Sequence, residues 1–189
     1  MAETTAWGDE SIRIKGFKRP IYLLGASIVH RNADRARELL VALKPRHAAK
    51  LHWRDMDHAH QWVSIHTINT FDATHTIVVG MRTSLEKVER ARRECLKHML
   101  PLLLQEQIST YCMESRGQHN DQHDLDFLNI LKRSTPLSTL TLTHVRPTDE
   151  PLVWIPDQVL GAYGNALAGE SDYDRFIANK VLDETFTVS

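Results

Sequence analysis

Three carboxylates stand out for where they fall: Asp9 inside "AWGDESIRI", Glu114 at the end of "STYCME", and Asp157 in "WIPDQV". Aspartate is disfavoured in strands, so acids inside or at the ends of β-forming segments need a reason. If the first segment and the Cys112 segment are neighbouring strands, Asp9 and Glu114 converge at one edge of a sheet, and Asp157 closes the cluster from a helix. Such a cluster suits a hard cation: Mg²⁺ takes oxygen ligands, usually one or two carboxylates with water and phosphate oxygens. Two such ions about 3.5–4 Å apart activate an attacking water and stabilise the leaving oxygen in phosphodiester cleavage. Successive strand side chains alternate between faces. If Asp9 points into the cluster, Glu10 points away.

The elements that must position these acids are legible in outline. Ala6–Ile14 reads as an opening strand. "KGFKRP" supplies a hairpin-like connection, and the apolar run Ile21–Val29 reads as a buried strand. Asn32–Leu43 has a capping Asn and helical spacing and stops before Pro45. A short extended piece near Leu51 and a helix over His58–Asn69 follow. Thr74–Met81 is β-branched and predicts a strand. From the cap Ser84, a long helix carries the stripe Leu85, Val88, Cys95, Leu96 and Met99, with Pro101 expected to kink or interrupt it. Then come a strand (Ile108–Glu114), a helix (Asp121–Arg133), a strand (Leu137–Val145), a helix from Pro151 to Gly169, and a short helix in "DYDRFIANKVL". This alternation after an N-terminal hairpin predicts one α/β domain over residues 1–189, a mixed sheet flanked by helices.

The totals bound the partners. A chain of 189 residues buries roughly 70% of its unfolded surface as one domain. A net charge of −1 excludes a strongly basic nucleic-acid binder, though not a local basic patch. Eleven histidines make solubility and anion binding sensitive to pH. Cys95 and Cys112 sit in apolar periodic segments, as buried thiols of a reducing compartment do. Met1–Thr5 has no basic region leading into an apolar one, and no run reaches the roughly 18 apolar residues of a membrane span. The expectation is a cytoplasmic protein with no membrane partner.

Taken together, "GDES" in the first strand, "MESRGQHNDQHD" after a later strand and "WIPDQVLGAYGNAL" in the last long helix resemble the RNase H-like family catalogued as domain of unknown function 3800. The similarity spans nearly the whole chain. It implies an RNase H-like fold and a Mg²⁺- or Mn²⁺-dependent nuclease acting on DNA or RNA. Asp9 would be the first-strand metal ligand, Glu114 the acid ending the central strand, and Asp157 the helix-borne acid. It further implies a fourth acid from the helix after the third strand. At 100° per residue Glu89 borders the apolar stripe there, while Glu86 and Glu94 point away. Asp55 in "LHWRDMD" competes with Glu89, with His52 matching a histidine the family often carries nearby. Ile12 stands where the family commonly has glycine, and Pro156 where a small residue is usual. These departures keep open a non-catalytic RNase H-like module that binds nucleic acid or a protein partner.

Other constellations compete with the acids. His52, His58 and His60, together with His119, Asp121, His123 and Asp124, are residue types that ligate zinc, as a zinc hydrolase would require. Their spacing matches no closed signature, and His58 and His60 share a face only in a strand, whereas their surroundings read as helix. Arg13, Lys15, Lys18 and Arg19, and separately Arg90, Arg92 and Arg93, could hold phosphates along a groove. Equally, the second group fits a solvated helix face with i,i+4 partners in Glu86–Arg90 and Glu89–Arg93. Trp7, Trp53, Trp62 and Trp154 could stack bases or pack the core, and Trp154 reads as structural.

Overall fold

The apolar run Ile21–Val29 becomes strand β2, buried on both faces until its last residue. It lies between β1 (Thr5–Arg13) and β3 (Ala73–Met81), antiparallel to each. A computed structural model describes residues 4–134, 137, 139–170, 173, 175 and 178–188. Strands β4 (Thr110–Glu114) and β5 (Thr141–Val145) add in parallel beyond β1, and β6 (Val181–Thr187) adds in parallel beyond β3. The result is a six-stranded mixed sheet in the order β5-β4-β1-β2-β3-β6.

Strand alternation sends the apolar residues of β2 to two cores. Ile21 and Leu23 pack with α1 (Ala33–Leu43), α2 (His58–Asn69) and α5 (Trp154–Leu167). Tyr22, Leu24, Ala26 and Ile28 pack with α3 (Val88–Gln105) and α4 (Gln118–Leu131) on the other face. The expected single α/β domain is what forms. Trp53 and Trp154 are buried in the first core, and Trp7 and Trp62 pack against it. Cys95 and Cys112 are buried and free, and burial pushes the Cys95 thiol up to about 12. Among the described residues no helix is long and apolar enough to cross a membrane.

Several boundaries differ from the sequence reading. Pro101 does not interrupt α3, which runs on to Gln105. Leu100 and Leu103 are buried on either side of it, and that packing outweighs the roughly 3 kcal/mol cost of an interior proline. The piece near Leu51 leads into a 3₁₀ turn, Trp53–Asp55, and a second such turn, Leu85–Lys87, precedes α3. The final short helix is replaced over its described end by a turn at Ala178–Lys180 and by β6. The edge of β3 supplies the backbone partners for β6, a tertiary cause that local propensity does not carry. Residues 172, 174, 176 and 177 of that call lie outside the described residues.

Candidate active site

Asp9 sits at the middle of β1 on the face covered by α5, opposite Gly25 of β2. A Cβ on Gly25 would lie 2.9 Å from Leu160 of α5, so the helix rests almost directly on the sheet beside Asp9. Arg13, on the same face of β1, fixes the strand to the helix. Its guanidinium donates to the Leu160 carbonyl at 3.2 Å, the Gly161 carbonyl at 2.8 Å and Asn165 Oδ1 at 3.1 Å. The parallel register ends at Gly8↔Met113, and Asp9 and Glu114 are the next residues of the two strands.

The third acid arrives with the start of α5. Glu150 caps the turn Pro151–Val153 by accepting the Leu152 N–H at 3.0 Å. The same carboxylate is gripped by Arg37 of α1 at 2.9 Å, and the Trp154 indole donates to the Pro147 carbonyl at 2.7 Å. Asp157 falls in the first turn beyond. Its Oδ2 accepts the Trp53 N–H at 2.7 Å and the Gln158 side-chain amide at 2.9 Å. Gln158 is in turn tied to Ser64 of α2 at 2.9 Å.

Asp9 and Asp157 share one neighbourhood with Glu114, and the protonation of the two aspartates reflects it. Burial, then the charges of Asp157 and Glu114, push the Asp9 carboxyl well above the usual carboxylate range. Lys50 and Arg92 only partly offset this. Burial likewise raises Asp157 against the opposing Trp53 N–H and the charges of His52 and Lys50. Burial and like charge on one side, and cations on the other, set the protonation of the two aspartates.

Lys50, from the loop between α1 and the turn at Trp53, is the cation bound to Glu114. Its Nζ is 2.5 Å from Glu114 Oε1. Burial works against its charge, but the Glu114 hydrogen bond and the charges of Glu114, Asp9 and Asp157 hold its pKa above the ordinary lysine value. Glu114 Oε2 is buried with no hydrogen-bond partner. Asp9, Asp157, Lys50 and His52 line a cleft of about 480 Å³, which continues past Arg13 to Lys15 and Arg54.

The remaining sequence candidates lie elsewhere. Glu89 is corrected as the fourth acid: it faces Arg116 at 2.6 Å, and α3 packs on the opposite side of the sheet from Asp9. Helical geometry placed Glu89 at the border of the apolar stripe but could not say which face of the sheet α3 covers. Asp55 is also drawn aside, paired with His52 Nδ1 at 3.0 Å with its side chain 76% exposed. His52 itself stays at the cleft, its Nε2 3.9 Å from Asp157. The other histidines do not assemble: His58 accepts from the Trp62 indole, His60 pairs with Asp57, and His119 lies against His123. Asp124 of that group is buried in an ion pair, and Asp121 accepts from Ser115 and the Arg116 N–H. Among the described residues no group of three or more His, Cys, Asp or Glu side chains stands ready in metal-holding geometry.

Glu10 points away from Asp9, as strand alternation requires. It joins Arg92 and Tyr22 on the α3 face. Arg92 also holds Asp124 at 2.6 Å, and His144 contacts Asp124 at 3.0 Å. Burial alone would raise Asp124, but Arg92, His144 and Arg116 hold it far below the usual range. Arg92 is buried and bound to both Glu10 and Asp124, which makes this network a structural staple between β1, α3 and α4.

No family model matches the chain, and no curated protein matches its sequence. Among solved structures, it is similar to one described as the structure of the PCNA:RNase HII complex from Archaeoglobus fulgidus, with a TM-score of 0.58 and 11% identity. The match covers 93% of this chain and 77% of the other. The fold is RNase H-like. At that identity the likeness speaks for the fold alone. Sequence reasoning missed Lys50, Arg54 and Asn165 at the cleft. The available signal was a lone lysine in "HAAKLHW", three residues before the Trp whose backbone serves Asp157.

Proposed function

We propose that the chain is a Mg²⁺- or Mn²⁺-dependent nuclease that hydrolyses phosphodiester bonds in DNA or RNA. The observation that carries this reading is that Asp9 of β1 and Asp157 of α5 line one cleft with Lys50, whose ammonium is bound to Glu114 at the end of β4. The donor set fits a hard divalent cation: all oxygen, with Asp9 held against its charge by burial and by its two neighbours, and Glu114 Oε2 left without a partner. Divalent ions bound there would activate an attacking water and stabilise the leaving oxygen. The resemblance to the family of unknown function enters through these same three acids, and the RNase HII likeness supports the setting.

The chain's own groups then have definable tasks. Asp9 rides on a central strand pinned to α5 by Arg13, so it moves little. The Trp53 N–H and Gln158 aim Asp157 into the cleft. Lys15 and Arg54 stand at the mouth, where backbone phosphates flanking the scissile bond would meet positive charge. The test is cleavage of single-stranded, duplex and hybrid substrates in Mg²⁺ or Mn²⁺ by the purified protein beside Asp9→Asn. Cleavage that depends on the metal and is lost in the variant supports the reading. Cleavage unchanged in the variant, or none on any substrate, sinks it and leaves a non-catalytic binding module.

A further inference from the structure

Lys50 reaches the acids from a loop, with its ammonium bound to Glu114 and its charge acting on Asp9 and Asp157. Its side chain is 24% exposed and that of Glu114 15%, so the contact is partly dry and the ammonium is poorly replaced by water. Glu114 spends Oε1 on Lys50 while Oε2 has no partner.

We infer that Lys50 is a built-in counter-cation of the acid cluster, which a divalent metal must displace from Glu114 in order to bind. The inference rests on the nuclease reading of the cleft, and it adds a regulating residue to it. Lysine suits the role: four rotatable carbons let the ammonium leave without moving the backbone, and its point charge makes no rigid fork with the carboxylate. The free protein is thereby spared three facing acids with no positive charge among them. The cost falls on metal affinity, because only the fraction of molecules with Lys50 withdrawn is competent to bind. Once displaced, the ammonium remains at the cleft wall, where it can meet a phosphate oxygen of the substrate.

The test is a Mn²⁺ titration followed by electron paramagnetic resonance of the free ion, on the full chain and on Lys50→Met, Lys50→Gln and Lys50→Arg. Thermal unfolding is measured in parallel with EDTA and with Mn²⁺. Lys50→Met and Lys50→Gln should bind Mn²⁺ at least about tenfold more tightly than the natural chain. Lys50→Arg should not, and Asp9→Asn should abolish binding in either background. In EDTA, Lys50→Met should melt lower than the natural chain, and Mn²⁺ should raise it by more. Equal or weaker Mn²⁺ binding in both charge-removing variants, with the natural chain binding normally, overturns the role of Lys50 alone. No binding by any chain overturns this role together with the metal site itself.

Discussion

Gly161 offers a direct way to disturb the site without touching an acid. A Cβ at this position would lie 2.1 Å from Cγ of Trp53 and 2.3 Å from Cδ2, distances no real side chain tolerates. The Trp53 ring cannot simply step aside, because it is 4% exposed and packs edge-on against Tyr173 with centroids 5.2 Å apart. Overpacking of this kind costs about 1–3 kcal/mol, and a rigid indole puts the penalty near the upper end. Alanine in place of glycine returns about 1 kcal/mol of helix propensity. The expected net for Gly161→Ala is thus about 2 kcal/mol of destabilisation, a fall in Tm of about 4–8 °C for a chain of this size. Because the Trp53 N–H holds Asp157 at 2.7 Å, metal binding should weaken as well. Differential scanning calorimetry of Gly161→Ala, Trp53→Leu and the double variant provides the assay. In the Trp53→Leu background the alanine should become neutral or stabilising. An unchanged or raised Tm for Gly161→Ala alone would refute the close approach of α5 and Trp53, and with it the positioning of Asp157.

Further outcomes follow from the charges. Removing one partner of the buried Arg92–Asp124 pair, as in Asp124→Asn, should cost about 3–5 kcal/mol and lower Tm by about 6–20 °C, readable by circular dichroism. Burial, aided by the charges of Lys180 and His30, lowers His75 from 6.5 to about 3. Its contribution to stability is therefore complete above pH 6.5 and is lost as pH falls toward 3, by about 1.4 kcal/mol per unit in between. Urea melts from pH 7 to pH 4 should show that slope, and His75→Gln should flatten it. Asp9 has the opposite sign. Its folded carboxyl is raised, so its effect favours the fold near and below the ordinary 3.8 and turns against it as pH rises through the folded value. In EDTA at neutral pH, Asp9→Asn should melt no lower than the natural chain; a clear drop in Tm would contradict the crowding of the three acids.

The sequence carried the sheet and its acids well because their signals are local. β2 is a continuous apolar run with the bounds expected of it, and α2 matches its expected His58–Asn69 span. Asp9, Glu114 and Asp157 were legible because each interrupts a segment otherwise committed to the core. What was not legible depends on partners far away in the chain. Pro101 survives in α3 because the core around Leu100 and Leu103 holds it there, and β6 exists because β3 has a free edge. Glu89 turned out to serve Arg116, which approaches α3 from the end of β4, a contact no helical wheel contains. Lys50 was invisible for the same reason: nothing near position 50 says that Glu114 lies against it.

The central claim is that Asp9, Glu114 and Asp157 hold a divalent metal together. Diffraction from crystals soaked in Mn²⁺, with data collected to locate the metal by its anomalous signal, tests it most directly. A peak is expected in the cleft about 2.0–2.2 Å from carboxylate oxygens of these three residues, with the Lys50 ammonium withdrawn from Glu114. Mn²⁺ bound only elsewhere, such as beside His119 and His123, or no peak with Lys50 still seated on Glu114, would contradict it.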